Sequence, residues 1–530
     1  MAKPRVARPV ERVEATAKTT LEPITWLGVG CSEGKAGKRR DLFGVCEPGR
    51  SQNPHSTAAA APERAAATGR ESISPSEGRG VGRERREVSE SKQKTAGSAD
   101  EARQGGEAAR DFSWVEASVW TERMLSALVN GVKGGKWYAL MDKVFALGTL
   151  TVAWTKVAAN EGAAGVDGQS IERFAAKADV YLAELSAALR EGSYRPQAVK
   201  RVEIPKGEGK TRPLGIPTVK DRIVQQAVRL VIEPIFEAGF RDGSYGFRPG
   251  RGCRDALREV DRLIKQGYAY VVDADLAGYF DSIPHDRLMA RAEAKVSDGR
   301  VLGLIRGWLK ADILKGLEAW TPTRGSPQGA VISPLLANIY LDPLDAFIAG
   351  RGYRMARYAD DFVILCRTRE EAQAALEDVR AWVNDNGLTL HPEKTHIGDC
   401  RQPGQGFDFL GYRFEAGKRH VRQKSLNKLK DSLRAKTKRT RGDSLARIVE
   451  HLNPTLRGWF GYFKHAHHAI FERLDAFTRR RLRALLRRQA KQSSRMGMSR
   501  SDHQRWPKAF FAEAGLFALH TAWLSARQSR

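Results

Sequence analysis

Two short acidic segments carry the chemistry that this sequence offers. The first, Tyr268 to Leu276 (YAYVVDADL), is an apolar, β-rich run that ends in Asp273 and Asp275 and leads on to Gly278, Tyr279, Phe280 and Asp281. The second, Tyr353 to Leu365 (YRMARYADDFVIL), reads as two strands around a tight turn with Asp360 and Asp361 at the tip. Adjacent carboxylates repel, so an apolar hairpin gains nothing from holding them together unless a cation is near. Alone, an Asp-Asp pair more often marks a turn or a helix cap. Together the segments describe phosphoryl transfer on two cations: one activates an attacking 3′-hydroxyl, the other stabilises the leaving pyrophosphate, about 3.5–4 Å apart. Hard oxygen ligands from different strands, completed by water and substrate phosphates, suit Mg²⁺. Asp275 and Asp360 are the first choices as ligands, with the backbone carbonyl of Leu276 as a further one; Asp361 supports the second metal or holds the turn.

The elements around these carboxylates belong to a large, basic chain. Its 530 residues carry 89 Lys and Arg against 62 Asp and Glu, a net charge of +27, which points to a polyanionic partner and to nucleic acid before a membrane surface. Five scattered cysteines (Cys31, Cys46, Cys253, Cys366, Cys400) include no C-x-x-C pair, which argues against a disulfide framework or a cysteine zinc site and fits a reducing cytoplasm. No apolar run approaches the roughly 20 residues that span a bilayer, and the N-terminus lacks a signal-peptide pattern.

Composition divides the chain. Residues 1–112, rich in Ala, Gly, Ser, Glu and Arg, read as a low-complexity, disordered tail. Helical periodicity begins near Trp114, and 113–201 reads as a helical extension. From about 202 to 414 strand candidates alternate with amphipathic helices and Gly/Pro turns, an α+β pattern with antiparallel pairing. Beyond that the sequence reads as almost entirely helical: residues 421–500 hold 22 Lys and Arg against 5 Asp and Glu. On a helical wheel Phe471, Leu474, Phe477, Leu482 and Leu485 share one side and Arg473, Arg480, Arg483 and Arg487 the other, which suggests a surface that grips nucleic acid. The His465, His467, His468 cluster has no second ligand pair and reads as an RNA-facing or surface feature.

From about Trp137 to Phe517 the sequence resembles bacterial group II intron reverse transcriptase/maturases. The blocks that carry the resemblance occur in family order: RPLGIP (Arg212–Pro217), DRIVQQ (Asp221–Gln226), SYGFRP (Ser244–Pro249), the Asp275 segment, GSPQG (Gly325–Gly329) with SPLLANIYL (Ser333–Leu341), the Tyr358–Asp361 tetrad, LTLHPEKT (Leu388–Thr395) and FDFLGY (Phe407–Tyr412). The resemblance implies a right-hand polymerase fold, with fingers and palm in 202–414 followed by an all-helical basic thumb, the maturase domain, in 415–530. It implies RNA-directed DNA polymerase activity using two Mg²⁺ ions, with template RNA, a DNA primer and dNTPs as substrates, and binding of the encoding intron RNA to assist splicing and retromobility in the bacterial cytoplasm. Alternatives are a maturase whose polymerase is dispensable, or another non-viral reverse transcriptase from a diversity-generating or defence system.

Residue roles follow from the same resemblance. Lys206 and Arg212 are implied partners of the incoming triphosphate. Phe280 is implied to lie under the deoxyribose, where a ring would exclude a 2′-hydroxyl. Gln328 is implied to lie along the nucleotide or templating base. Leu452, Leu456, Trp459, Phe460, Tyr462 and Phe463 form the implied thumb core. Two departures stand out. Cysteines are absent after Cys400, so the endonuclease domain of DNA-cutting members is not expected, and Pro343 implies a kink or early end in a helix that is usually continuous. The oligomeric state is left open.

Overall fold

A computed structural model describes residues 112–528 apart from 208, 441 and 492–498; the side chains of Lys206 and Lys210 also fall outside what is described. Residues 1–111, and with them the expected tail, lie outside the described residues.

Among the described residues eleven strands form three sheets: β1 (Val199–Gly207), β2 (Lys210–Ile216), β3 (Tyr270–Asp275), β4 (Ile313–Lys315), β5 (Glu318–Trp320), β6 (Arg354–Tyr358), β7 (Asp361–Cys366), β8 (His396–Asp399), β9 (Phe407–Phe409), β10 (Tyr412–Glu415) and β11 (Lys418–Val421). The order β6-β7-β3-β8 makes an entirely antiparallel sheet in which Asp275 stands opposite Asp361, Ala274 opposite Phe362 and Val272 opposite Ile364. Because side chains alternate along a strand, this sheet has two faces. Val272, Ala274, Phe362, Ile364 and Cys366 enter one core, which includes the Arg369–Asp385 helix through Ala372, Ala375 and Val379. Val271, Val363 and Leu365 enter a second core, built from the Cys253–Lys265 helix, β9–β10 and the C-terminal helices. Asp273, Asp275 and Asp361 occupy the alternate positions and so face the second core. Apolar residues on both faces explain why β3 and β7 read as nearly continuous hydrophobic runs.

The second sheet has the order β2-β1-β4-β5, its β1–β2 hairpin antiparallel and β1–β4 parallel. Behind it runs the Val219–Glu237 helix, capped by Thr218, whose hydroxyl accepts from the Asp221 N–H. Sixteen residues of this helix are buried, so it is a central strut rather than a surface element. The Ser333–Gly350 helix is a second strut. It runs through Pro343 without ending, so of the expected kink or early end the early end is overturned: Leu344 and Ile348 beyond the proline remain fully packed in the core.

The third sheet, β11-β10-β9, straddles residue 415, so the all-helical region begins at Gln423 and not at 415. Helices Gln423–Lys436, Leu445–Phe463 and Ala469–Gln489 follow, then three shorter ones ending with Leu519–Gln528. Leu452, Leu456, Trp459, Phe460, Tyr462 and Phe463 are all buried. Two reciprocal bonds tie this helical layer to the sheet: Tyr412 Oη donates to the Tyr462 carbonyl (2.7 Å) and Tyr462 Oη donates to the Leu410 carbonyl (2.7 Å). No described helix is long and apolar enough to cross a membrane.

Candidate active site

The three carboxylates predicted from sequence converge. Asp275 ends β3, Asp361 begins β7 directly across from it, and Asp360 sits with Ala359 in the two-residue loop closed by the Tyr358–Asp361 pair. Ala359 has φ +61°, a left-handed conformation that Gly or Asn adopts more readily, so the loop needs support from outside. Arg357 supplies it. Fully buried, it donates from Nε to Asp345 Oδ1 (2.7 Å) and from Nη2 to Asp345 Oδ2 (2.5 Å), while Nη1 reaches Asn338 Oδ1 (3.1 Å) and the Ala359 carbonyl (2.9 Å). Its backbone is pinned as well: Arg357 N–H donates to the Gly243 carbonyl and the Arg357 carbonyl accepts from Tyr245 N–H, both at 2.8 Å. Sequence reading missed this residue. The signal was present, since an arginine between Ala356 and Tyr358 in a strand with four buried positions has to be paired.

Gly246 backs the same loop. A Cβ there would lie 2.3 Å from the Ala359 nitrogen and 2.8 Å from the Tyr358 carbonyl carbon, so any side chain would push the loop. Asn338 Nδ2 fixes Gly246 by donating to its carbonyl (2.8 Å).

The electrostatics are those of crowded, partly dried carboxylates. Burial first, then the charges of Asp273, Asp360 and Asp275, push Asp361 up to about 8. Burial carries Asp273 to about 6, and burial with help from Asp275 raises Asp360. Among the described residues no three Asp, Glu, His or Cys side chains are already gathered as a metal-holding group. A cation is nonetheless what this arrangement suits, because the Lys394 ammonium already sits against Asp275 Oδ2. Leu276 fits too. It faces Leu390 as a non-hydrogen-bonded pair, flanked by Ala277 N–H to the Thr389 carbonyl (2.8 Å) and His391 N–H to the Asp275 carbonyl (2.7 Å). Its own carbonyl therefore turns away from Leu390, toward the β7 side.

The residues expected around a nucleotide are joined through backbone. Phe280 is half-buried, edge-on to Tyr279 with ring centroids 5.5 Å apart, and its carbonyl accepts from Ser326 N–H (2.7 Å). That bond carries the Gln328 loop onto the Phe280 turn. The Gln328 carbonyl in turn accepts from Gly215 N–H of β2 (2.6 Å), three residues beyond Arg212. Gly329 makes the crossing possible: at φ +111°, a Cβ would fall 2.4 Å from the Gly215 carbonyl oxygen. The Lys206 side chain lies outside the described residues.

The Ala469–Gln489 helix departs from its wheel. Arg473 and Arg480 are exposed, but Arg483 is buried and donates from Nε to the Trp506 carbonyl (2.9 Å), and Arg487 pairs with Asp502 (2.6 Å). The segment after the helix folds back over that side, so Arg483 and Arg487 are packed inward and do not belong to a solvated basic face.

Residues 204–414 match the family described as reverse transcriptase (RNA-dependent DNA polymerase), and residues 426–506 match the group II intron maturase-specific domain. Protein YkfC of Escherichia coli (strain K12) is 35% identical over 288 residues, 47% of this chain and 75% of that protein. This chain belongs to the group II intron reverse transcriptase/maturase family. Group II intron-encoded protein LtrA of Lactococcus lactis subsp. cremoris is 30% identical over 329 residues, covering 49% of this chain and 54% of that protein. A 91 kDa protein in the cob intron of Schizosaccharomyces pombe is 44% identical over 149 residues, 28% of this chain and 18% of its own length. The matched spans thus cover about three quarters of YkfC and about half of LtrA.

The close approach at Gly246 yields a test. Gly246→Ala should displace the Ala359–Asp360 loop and lower the single-turnover rate of RNA-templated primer extension by roughly a hundredfold, the usual effect of misplacing reacting groups by about 1 Å. Gly350→Ala, where a Cβ meets nothing within 4 Å, is the control and should be neutral. An unchanged rate for Gly246→Ala would show that the loop yields without cost.

Proposed function

We propose that this chain is an RNA-directed DNA polymerase that also binds the group II intron RNA encoding it, assisting splicing and retromobility as a cytoplasmic ribonucleoprotein. The observation that carries the polymerase reading is the register pairing of Asp275 at the end of β3 with Asp361 at the start of β7, beside Asp360 in the loop that Arg357 braces. A binding protein with a dispensable polymerase would gain nothing from that arrangement.

In this reading Asp275, Asp360 and the Leu276 carbonyl hold one Mg²⁺, and Asp361 supports a second or fixes the turn. Bound there, the two ions would activate the primer 3′-hydroxyl and neutralise charge on the leaving pyrophosphate. The chain's own groups do the positioning. Arg212 and Lys206 bind the triphosphate of the incoming dNTP. Phe280 closes the space that a ribose 2′-hydroxyl would need, and Gln328 lies along the nucleotide or templating base, its loop held between β2 and the Phe280 turn. Residues 202–414 serve as fingers and palm, 113–201 as their N-terminal extension, and 415–530 as the thumb and maturase region. Arg473 and Arg480 contribute to the RNA-gripping face.

Three measurements test these assignments. Asp275→Ala or Asp360→Ala should abolish Mg²⁺-dependent synthesis on poly(rA)/oligo(dT) and leave RNA binding intact; near-normal synthesis would remove the site. With Phe280→Ala or Phe280→Val, discrimination between dNTP and rNTP in single-nucleotide incorporation should fall, and an unchanged ratio would return the ring to a packing role. For Arg473→Ala/Arg480→Ala, intron RNA affinity should drop and its dependence on salt should flatten by about one unit of slope per lost phosphate contact, with the saturated polymerisation rate unchanged. Unaltered affinity across the salt series would show that this face is only solvated.

A further inference from the structure

A cleft of about 440 Å³ lies away from the carboxylates, where the end of the Cys253–Lys265 helix, the β10–β11 turn, residues 464–468 and the C-terminal helix meet. Two of these segments, Gly417 to Arg419 and Leu519–Gln528, fall outside the spans that match either family domain. Lys265, Lys418, Arg419, Lys464 and Arg527 line the cleft against a single carboxylate, Asp261, which is already engaged by Lys265 (2.8 Å) and Arg419 (3.6 Å). The lining is therefore strongly cationic.

The rings of His467, His468 and Trp523 line it, and His420 extends the row behind them. His420 and His467 have centroids 5.8 Å apart, His467 and His468 4.5 Å, and His468 and Trp523 5.3 Å, with interplanar angles of 36°, 32° and 31°. The row is held in place: His467 N–H donates to the Arg419 carbonyl (2.8 Å), His520 stacks on Trp523 at 6.0 Å, and the Arg527 guanidinium lies 5.0 Å from the Trp523 ring. Burial, then the neighbouring His468, Lys418, His420 and Arg473, hold His467 below the usual histidine range, so at neutral pH it offers a neutral ring.

We propose that this cleft binds an unpaired stretch of RNA, a base stacking on the His467–His468–Trp523 row while Lys418, Lys464 and Arg527 meet the adjacent phosphates. The inference rests on the intron-RNA reading above and adds a second contact surface to it. Cations alone would suit any polyanion, but a ring platform inside a cationic cleft selects a ligand that alternates phosphates with exposed π-faces. In a duplex those faces are hidden by stacking, and an acidic peptide has none to offer. The volume is within the range of sites that take one small organic moiety.

The test uses the full-length protein irradiated with a short single-stranded RNA carrying 4-thiouridine, the cross-linked peptides being mapped by mass spectrometry. A cross-link is expected in the peptide holding His467 and His468 or in the one holding Trp523. It should weaken about ten-fold in Trp523→Ala and in the surface variant Lys418→Glu/Lys464→Glu, with primer extension at saturating template unchanged. A blunt RNA duplex should give none. Absence of these cross-links in a protein that copies RNA and binds the intron would overturn the cleft assignment and leave the proposed function standing. A wild-type protein that neither binds the intron nor extends a primer would remove both. Equal cross-linking of single-stranded DNA of the same sequence, or full competition by polyglutamate, would overturn the RNA assignment.

Discussion

The rest of this structure is arranged around the repulsion between carboxylates on adjoining strands. Two unit charges about 4 Å apart repel by about 4 kcal/mol at an effective dielectric of roughly 20, and Asp361 stands across from Asp275 with Asp360 beside it and Asp273 on the same face. Protonation of Asp361 relieves part of this repulsion, and what remains persists because the backbone cannot relax. Both faces of the β3–β7 pair are sealed by separate cores, so neither strand can twist its carboxylates apart without exposing Val272, Phe362 or Ile364 on one side, or Val363 and Leu365 on the other. The loop between β6 and β7, with Ala359 buried in the second core and Gly246 behind it, has a further support. It is held by Arg357, a fully buried cation whose own cost is met by Asp345, Asn338 and the Ala359 carbonyl. Breaking a pair of this kind by removing one partner leaves an uncompensated buried charge.

Close backbone approaches then connect the two sheets. Gly329 lets the Gln328 loop reach the Gly215 carbonyl, and Gly325 lies where a Cβ would meet the backbone of Phe280 and Asp281 at 2.9 Å. The Gly215, Gln328 and Phe280 segments are therefore adjacent even though they lie far apart in sequence. A change at either glycine would be felt across all three.

Beyond the β6-β7-β3-β8 sheet, the helical region has two kinds of arginine. Arg483 and Arg487 satisfy the Trp506 carbonyl and Asp502 and act as internal braces for the segment that follows the helix. Arg473 and Arg480 stay at the surface. The basic composition of the thumb is thus divided between structure and surface. A ring-and-cation assembly lies where β11 and the C-terminal helix come together, outside the Arg-rich helix.

The apolar, β-rich runs of β3 and β7, the turn at Ala359 and Asp360 and the helical C-terminal region could all be read from the sequence, because each depends on local composition, periodicity or a tight turn, while the aromatic core of the helical region followed from the family resemblance. The carboxylates Asp275, Asp360 and Asp361 were legible for the same reason: strand ends and hairpin tips are local features that aim a side chain. Arg357, Gly246 and Lys394 were not, because their importance lies in what they touch across the chain, and so was the inward turn of Arg483 and Arg487, which depends on a segment folding back from beyond residue 498. Pro343 shows the same limit from the other side: local stereochemistry argued for a kink or an early end, and core packing of Leu344 and Ile348 carried the helix on past it. What the sequence determined by itself was the set of elements and the groups able to do chemistry; which groups meet, and which arginines turn inward or outward, was decided by long-range packing that no local pattern encodes.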